Sequence, residues 1–179
     1  MLYVALLRGI NVGGKNKVDM KQLKAVFEDA GMSDVKTYIN SGNVIFSSKV
    51  RAKAKLVQQI EDGIAKRFGF EVRVVLRGLE EMKTLVKAIP SKWTTDQEMR
   101  CDVMFLWREV DRPSVIKEFK FDPKMENVRY TRGAVIWRID RRDVNKSRMW
   151  RGIFGTPLYK QMTIRNCNTV RKLLTLMEQ

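Results

Sequence analysis

The first part of the chain alternates between apolar runs and polar turns in an order typical of paired strands and helices. Residues 2–7 form an unbroken apolar run, which is typical of a central strand that is covered on both faces. A polar loop follows, and Asp19 is the predicted N-cap of a helix, with Gln22 completing a capping-box pattern. Apolar residues then recur at helical spacing until Gly31, where we expect the helix to end. These apolar residues are Met20, Leu23, Phe27 and Ala30.

Two short β-rich runs come next and flank a group of turn-forming residues. Residues 35–47 read VKTYINSGNVIFS, which predicts a hairpin with NSGN as its turn. Ser47 or Ser48 is the predicted cap of a second helix, and residues 71–77 alternate polar and apolar, as an edge strand does. The second helix carries its apolar residues on one face, at Leu56, Ile60, Ile64 and Phe68.

The second half of the chain is less regular but contains similar signals. Residues 79–89 predict a connecting helix that ends at Pro90, and after a polar loop residues 101–108 predict a buried strand. Asp111 is the predicted cap of a short helix with Pro113 in its first turn.

The chain then contains a second hairpin signal and a final helix. The runs NVRYT and AVIWRI flank an Arg-Gly turn, which predicts two paired strands. Residues 145–160 are predicted to be helical in part, interrupted by Gly155 and Pro157, and Asn168 is the predicted cap of the last helix. The second half is therefore predicted as β-α-β-β-α-α, a partial echo of the first.

The order of elements predicts the fold class. The first half reads β-α-β-β-α-β, the ferredoxin-like split arrangement, in which the first strand is central and the last lies at an edge. We predict an α+β fold of two ferredoxin-like lobes packed side by side. Residues 1–77 form the first lobe, residues 78–99 a connecting helix and loop, and residues 100–179 a second α+β lobe with a C-terminal helix.

Composition excludes several kinds of chemistry. The 179 residues include no histidine, which excludes Ser-His-Asp and Cys-His catalysis and histidine-based zinc sites. The two cysteines, Cys101 and Cys167, are too few for a disulfide scaffold and lack metal-ligand spacing. We therefore expect a reducing, cytoplasmic location, no metal and no cofactor. The chain shows no signal-peptide pattern and no membrane-spanning stretch, so no membrane partner is expected.

The net charge of +15 is concentrated at the two ends of the chain. Residues 1–77 contain 14 basic and 7 acidic residues, whereas residues 78–137 contain 11 and 10. Residues 138–179 contain 10 basic and 3 acidic residues. This distribution favours a polyanionic partner such as nucleic acid, while a basic surface that only maintains solubility is the alternative.

Three segments carry a resemblance to a known family. LLRGINVGG at residues 6–14, YINSGNVIF at 38–46 and TIRNCNTVRKL at 163–173 resemble the signature segments of a bacterial family, the domain of unknown function sixteen ninety-seven. The resemblance extends over essentially the whole chain and implies two ferredoxin-like lobes, but no established activity, cofactor or catalytic residue. The family more often has Gln where Asn40 stands and Trp where Cys167 stands, which argues against a family-wide role for that thiol.

The glycine loop at residues 9–16, GINVGGKN, nearly matches the P-loop pattern. The last position is Asn16, so the hydroxyl that binds Mg²⁺ is missing, and the predicted helix begins late, after Asp19. We therefore do not expect a nucleoside triphosphatase. A looser anion site remains the functional alternative to a tight turn in which the glycines only satisfy the backbone.

The start of the last helix is a second candidate anion site, because helix N-termini attract anions. If the lobes bring it near the glycine loop, one polar inter-lobe pocket results. The candidate residues for this ligand or anion site are Arg8, Gly9, Asn11, Gly13, Gly14, Lys15, Lys17, Ser41, Asn43, Arg165, Asn166 and Asn168.

The first strand also resembles that of an RNA-recognition motif, which stacks bases on sheet aromatics. The third strand lacks the paired aromatics of such a platform, and we expect both faces of the first strand to be covered. Tyr3 is therefore predicted to belong to the core.

The densest basic segment spans residues 138–151 and contains an aromatic residue. It could follow a phosphate backbone with Trp137 or Trp150 stacked on bases, or its cations could pair with Asp140 and Asp143 on a solvated face. The candidate residues for a nucleic-acid backbone are Arg138, Arg141, Arg142, Lys146, Arg148, Trp150 and Arg151.

Together these patterns predict a non-enzymatic module that binds a polyanion, with nucleic acid as the first choice. One alternative is a small-ligand protein or enzyme that uses an inter-lobe pocket for a phosphorylated or carboxylated compound. Another is an interaction protein that forms a homodimer through its sheet edges or apolar sheet face. Whether the protein is an enzyme stays open, because no catalytic constellation is visible.

Overall fold

A computed structural model describes residues 1–179 and contains eight strands and six α-helices. The strands are β1 (Leu2–Leu7), β2 (Ser33–Tyr38), β3 (Asn43–Ser47), β4 (Val74–Gly78), β5 (Met99–Leu106), β6 (Glu126–Thr131), β7 (Ala134–Asp140) and β8 (Met162–Asn166). The helices are α1 (Met20–Asp29), α2 (Lys53–Phe68), α3 (Leu79–Ala88), α4 (Arg148–Ile153), α5 (Pro157–Lys160) and α6 (Cys167–Met177). Three short 3-10 helices lie at Arg108–Val110, Pro113–Glu118 and Arg141–Lys146.

The chain divides into two compact units. The first comprises Met1–Met82 together with Leu173–Gln179, and the second comprises Lys83–Lys172. Each unit contains one four-stranded antiparallel sheet, with strand orders β2-β3-β1-β4 and β6-β7-β5-β8. The two orders are equivalent, so the predicted fold of two ferredoxin-like lobes is confirmed. None of the helices combines the length and the apolar character needed to cross a lipid bilayer.

The first unit forms as its sequence pattern predicts. β1 is central, and Val4 lies opposite Ile45 on β3 and Arg77 on β4. One face of β1 presents Tyr3 and Leu7 to a core built with α1 and α2. The opposite face is buried as well, since Val4 is 0% exposed. A strand buried on both faces offers no open platform for bases, so Tyr3 belongs to the core.

The ends of α1 follow the predicted signals. The Asp19 side chain accepts a hydrogen bond of 2.9 Å from the backbone N–H of Gln22 and caps the helix. Gly31 follows the last turn with φ +80°, a left-handed conformation that glycine adopts without a steric penalty.

The predicted cap of α2 is wrong. This helix begins at Lys53, after Ala52, which has no capping side chain. The Ser48 hydroxyl instead accepts from the backbone N–H of Val50 at 3.1 Å, and Ser47 is the last residue of β3. The Ser48 hydroxyl is used by a backbone N–H in its own turn, so it does not cap the helix that begins five residues later.

The predicted cap at Asp111 is also wrong. The 3-10 helix at Pro113–Glu118 follows Arg112, which makes no side-chain cap. The Asp111 carboxylate accepts hydrogen bonds from the Tyr130 hydroxyl at 2.9 Å and from the N–H of Gly133 at 2.8 Å. Asp111 therefore secures the β6–β7 hairpin rather than a helix.

The last part of the chain differs most from the prediction. Residues 162–166 form β8, which pairs with β5 and completes the second β-α-β-β-α-β unit. The run MTIRN has only five residues, two of them apolar, so it gives little strand signal. Pro157 begins α5 instead of interrupting a helix, consistent with the preference of proline for the first helical position.

Candidate functional site

A basic and aromatic cleft lies in the second unit, with a volume of about 530 Å³. Its lining contains two phenylalanines, three cations and no acidic residue. We call it the basic cleft and define it by Phe119, Lys120, Phe121, Arg148 and Arg151. Phe119 is buried and Phe121 half-buried, while the three cationic residues are exposed. The cleft thus combines an apolar wall with cations that no carboxylate pairs.

Two separate segments build this cleft. The phenylalanines follow the 3-10 helix at Pro113–Glu118, whereas Arg148 and Arg151 stand on α4. Residues three apart lie on the same face of a helix, so both guanidinium groups are on the same side of α4. The segment KEFKF at residues 117–121 interleaves lysine with phenylalanine. This pattern is the sequence signal for the wall, and it is absent from the candidate residues predicted above.

A buried polar network holds α4 in place. The Ser147 hydroxyl accepts from the N–H of Trp150 at 2.8 Å and caps the helix, and it donates to the buried carboxylate of Glu126. The same carboxylate accepts from Trp137 Nε1 at 3.1 Å and from the N–H of Asp122 at 2.8 Å. The position of Arg148 and Arg151 therefore depends on a network in the core of the unit.

The predicted basic segment divides into paired and unpaired cations. Asp140 pairs with Arg138 and, at 3.7 Å, with Arg142. Asp143 pairs with Arg142 at 3.6 Å and with Lys146 at 2.9 Å, and these contacts lower the pKa of its carboxyl.

The remaining cations of this segment have other surroundings. Arg141 Nε donates to the backbone oxygen of Asp96 at 2.9 Å. Arg148 and Arg151 form no ion pair with a carboxylate, and neither does Lys120 on the opposite wall of the basic cleft. Within residues 138–151, Arg148 and Arg151 are therefore exposed cations without a carboxylate partner, and both line the cleft.

The tryptophans proposed for base stacking are occupied by other contacts. Trp137 is 0% exposed and lies parallel to Trp150, with ring centroids 5.8 Å apart. The Arg100 guanidinium covers Trp150 at 3.5 Å from its ring centroid, and Phe154 meets it edge-on at 4.7 Å. Stacking of a base on Trp137 is excluded by its burial. Among the neighbouring rings, Phe154 is 45% exposed.

The glycine loop of the first unit is a tight turn that satisfies much of its own backbone. The N–H of Asn11 donates to the oxygen of Asn16 at 3.1 Å, and the N–H of Lys15 donates to the oxygen of Val12 at 3.1 Å. Asn16 Nδ2 donates to the oxygen of Gly9 at 3.1 Å. Lys15 lies well before the start of α1, whose N-terminus is capped by Asp19. This geometry differs from a P-loop, whose amides and helix N-terminus face a phosphate.

The first two sequence motifs interlock within this unit. Asn11 Nδ2 donates to the oxygens of Val18 at 3.0 Å and Asn40 at 2.9 Å, which ties the glycine loop to the β2–β3 turn. The N–H of Leu7 donates to the oxygen of Gly42 at 2.8 Å. Asn43 is buried, and its Nδ2 donates to the Ser41 hydroxyl at 2.9 Å. Asn11, Ser41 and Asn43 thus have clear structural roles. The remaining candidates here, Arg8, Gly13, Gly14 and Lys17, lie on or beside the same loop.

The third motif forms the β8–α6 junction of the second unit. Asn166 Oδ1 accepts from the N–H of Thr169 at 2.8 Å and caps α6, so the predicted cap at Asn168 is wrong. Asn168 Nδ2 donates to the oxygen of Thr95 at 2.7 Å instead. Arg165 is 8% exposed and donates to the Thr163 hydroxyl at 3.0 Å, and burial lowers the pKa of its guanidinium to about 10.

Comparisons with known proteins agree with this architecture. A family model described as "Protein of unknown function (DUF1697)" matches residues 1–137. The solved structure of the conserved bacterial protein SP0830 from Streptococcus pneumoniae is 32% identical to this chain, with 98% of each chain covered and a TM-score of 0.84. The search of curated proteins found no match. The chain therefore belongs to the DUF1697 family, the domain of unknown function sixteen ninety-seven that its three motifs resemble.

Proposed function

We propose that this protein is a non-enzymatic module that binds a polyanion, and that single-stranded nucleic acid occupies the basic cleft. The observation that carries the proposal is the lining of the cleft, which combines three cations without acidic partners and two phenylalanine rings. Phosphates would contact the exposed cations, and an unstacked base would pack against the phenylalanine wall. A duplex keeps its bases stacked inside, so this lining favours a single strand.

The electrostatic part of this binding has a predictable size. If Lys120, Arg148 and Arg151 each contact one phosphate, the logarithm of the affinity falls with the logarithm of the salt concentration with a slope of about −2. Raising the salt from about 50 to about 200 mM then weakens binding about 20-fold. A steeper slope would indicate that further cations of the +15 chain take part.

The test is a fluorescence-anisotropy titration with labelled single strands of about 10 nucleotides, in RNA and DNA form, and with a matched duplex. The protein is first freed of co-purified nucleic acid. The test variant, Arg148→Gln/Arg151→Gln, removes two cations from the cleft. The control variant, Arg142→Gln/Lys146→Gln, removes the same charge from the same segment, where the cations already pair with Asp143.

We expect the test variant to lose at least about tenfold in affinity and to show a shallower salt dependence, while the control stays within about twofold of the unmodified protein. Replacing Phe121 by Leu keeps an apolar wall but removes the ring, and should weaken single-strand binding without changing the salt slope. Equal losses in the test and control variants would refute a role for the cleft. No binding to any strand near physiological salt would refute the proposed function itself.

A second candidate is a small phosphorylated ligand in the same cleft. The volume of about 530 Å³ lies within the range of small-molecule sites. The two candidates differ in their dependence on ligand length. A mononucleotide that competes as well as the longer strand would favour the small ligand, whereas affinity that increases with strand length would favour the nucleic acid.

A further inference from the structure

The pairing of β5 with β8 brings the two cysteines of the chain together. Asp102 lies opposite Asn166 at the end of this antiparallel ladder, so continuing the register places Cys101 opposite Cys167. Both side chains are 0% exposed, and both cysteines are free thiols. Each thiol is the largest influence on the pKa of the other, consistent with the proximity that the register gives them. Two thiols distant in sequence thus form one buried cluster.

The loop that precedes β5 holds both cysteines. The Thr95 hydroxyl donates to the oxygen of Cys101 at 2.7 Å and accepts from its N–H at 3.1 Å. The same hydroxyl lies 3.7 Å from Cys167 Sγ, and the backbone oxygen of Trp93 lies 3.5 Å from it. Arg171 Nη1, one turn along α6, is 3.8 Å from Cys167 Sγ. These contacts hold the two sulfurs in a defined relation.

The surroundings give the two sulfurs different roles. Interaction with Cys101, with smaller contributions from Thr95 and the charge of Arg171, lowers the pKa of the Cys167 thiol to about 7 against the effect of burial. The nearby Asp102 carboxylate acts in the opposite direction. Interaction with Cys167, together with burial, raises the pKa of the Cys101 thiol. Cys167 is also the first residue of α6, where the helix dipole stabilises negative charge. Cys167 is therefore the more acidic thiol of the pair and the one that more readily forms a thiolate.

We propose that Cys101 and Cys167 form an oxidation site at which a small hydroperoxide converts the two thiols into an intramolecular disulfide. Register pairing across an antiparallel ladder brings Cβ atoms close to the separation that a disulfide spans. The register places the two side chains opposite each other, so bond formation requires only a local approach of the sulfurs. Burial excludes bulky thiols and alkylating reagents, whereas hydrogen peroxide is little larger than water. The nucleophile, its partner thiol and the groups that position both are all present in the second unit.

The reaction takes place in two steps that balance. The Cys167 thiolate attacks one peroxide oxygen, the O–O bond breaks, and a sulfenic acid forms while the departing hydroxide takes up a proton as water. The Cys101 thiol then loses its proton and attacks the Cys167 sulfur. An S–S bond forms, the S–O bond breaks, and the second hydroxide leaves as water with that proton. Two thiols are oxidised and one peroxide is reduced by two electrons.

The experiment treats the reduced full-length protein with a small excess of hydrogen peroxide, quenches it, and measures intact mass and free thiols. We expect a mass decrease of two hydrogens, loss of both thiols, and reversal by dithiothreitol once the oxidised protein is unfolded in urea. The rate should rise with pH and reach half of its maximum near pH 7, following the Cys167 thiolate. Peptide mapping should identify the Cys101–Cys167 linkage.

Two variants separate the roles of the sulfurs. Cys101→Ser should leave Cys167 to accumulate as a sulfenic acid, because no resolving thiol remains, and dimedone should trap it when the protein is unfolded in its presence. Cys167→Ser should leave Cys101 as an unreacted thiol under the same conditions. Both variants are first checked for native circular dichroism and an unchanged urea midpoint, and Arg171→Gln should slow the reaction in a chain that keeps both thiols. If one cysteine variant does not fold, the unmodified protein and the other variant still decide the outcome.

Three results would overturn the proposal. The proposal is wrong if both thiols survive peroxide in the native protein while the urea-unfolded protein reacts. It is also wrong if the product is an intermolecular disulfide, or if each cysteine is oxidised independently without forming a linkage. None of these outcomes depends on nucleic-acid binding, so this experiment tests the oxidation site independently of the proposed function.

Discussion

Gly42, in the β2–β3 turn, permits the close contact between the first two sequence motifs. Its φ is +74°, and a Cβ added to it would lie 2.7 Å from Leu7 Cβ and 2.7 Å from Ile10 Cδ1. Leu7 Cβ is attached directly to the central strand and cannot withdraw, although the end of the Ile10 side chain can. The substitution Gly42→Ala therefore introduces both an unfavourable backbone conformation and a steric clash.

The two costs can be estimated separately. Holding an L-residue in the left-handed region costs about 1–2 kcal/mol. Inserting a methyl group into a packed site costs a further 1–3 kcal/mol, approximately. Gly14 is the matched control, because its φ is +75° and a Cβ there meets nothing within 4 Å. Gly14→Ala should thus cost only the conformational part, and Gly42→Ala should cost about 2–5 kcal/mol.

The assay is urea unfolding followed by far-ultraviolet circular dichroism, with the midpoint and slope fitted for each variant. Both glycines lie in the first unit, whereas Trp93, Trp107, Trp137 and Trp150 all lie in the second. Tryptophan fluorescence therefore reports the second unit separately. A difference between the two variants smaller than about 0.5 kcal/mol would show that the contact with Leu7 is not limiting, and would refute the reasoning.

Two further predictions concern a buried carboxylate, Glu126, and an exposed one, Glu81. Glu126→Ala leaves the buried donors Trp137 Nε1 and Ser147 Oγ without their acceptor and should destabilise the protein by roughly 2–5 kcal/mol. The control Glu109→Ala, at an exposed position, should change stability by less than about 0.5 kcal/mol. Urea midpoints followed by tryptophan fluorescence compare the two variants, and equal effects would contradict the role of the network. Burial alone would raise the pKa of Glu81, but hydrogen bonds from Lys53 and from the N–H of Gly78 at 2.6 Å lower it overall. The contribution of Glu81 to the stability of the fold is therefore present above the ordinary carboxyl pKa of 4.5 and is lost as the pH falls through the lowered value. The destabilisation caused by Glu81→Gln should therefore be present at neutral pH and vanish in acid, and a loss that is independent of pH would contradict this assignment.

Local patterns predicted the first unit well, because its elements depend on signals close in sequence. The apolar run at Leu2–Leu7 required burial on both faces and therefore a central position, as observed. The Asp19 cap and Gly31 determined the ends of α1 through the chemistry of the backbone at those residues. The alternation at residues 71–77 was less informative, since Val74, Val75 and Leu76 of the edge strand are all buried.

Side chains that could bond to several backbone groups were predicted least well. Ser48, Asp111 and Asn168 were all expected at helix N-termini, but Ser48 bonds within a local turn, and Asp111 and Asn168 bond to residues distant in sequence. For Asp111 and Asn168 the chosen partner lies on an element that only the folded unit brings near. The strand β8 was missed for a related reason, because its short alternating sequence becomes a strand through pairing with β5.

The sequence by itself determined the α+β class, the central place of β1 and the positive charge, because each follows from residue type and local periodicity. Only the tertiary structure decided which cations keep their charge available and which residues share a site. The basic cleft joins Phe119–Phe121 to α4, and strand pairing brings Cys101 to Cys167. Such contacts depend on how the elements of a unit pack, and packing is set by many weak contacts between residues distant in the chain. No local sequence pattern predicts such contacts.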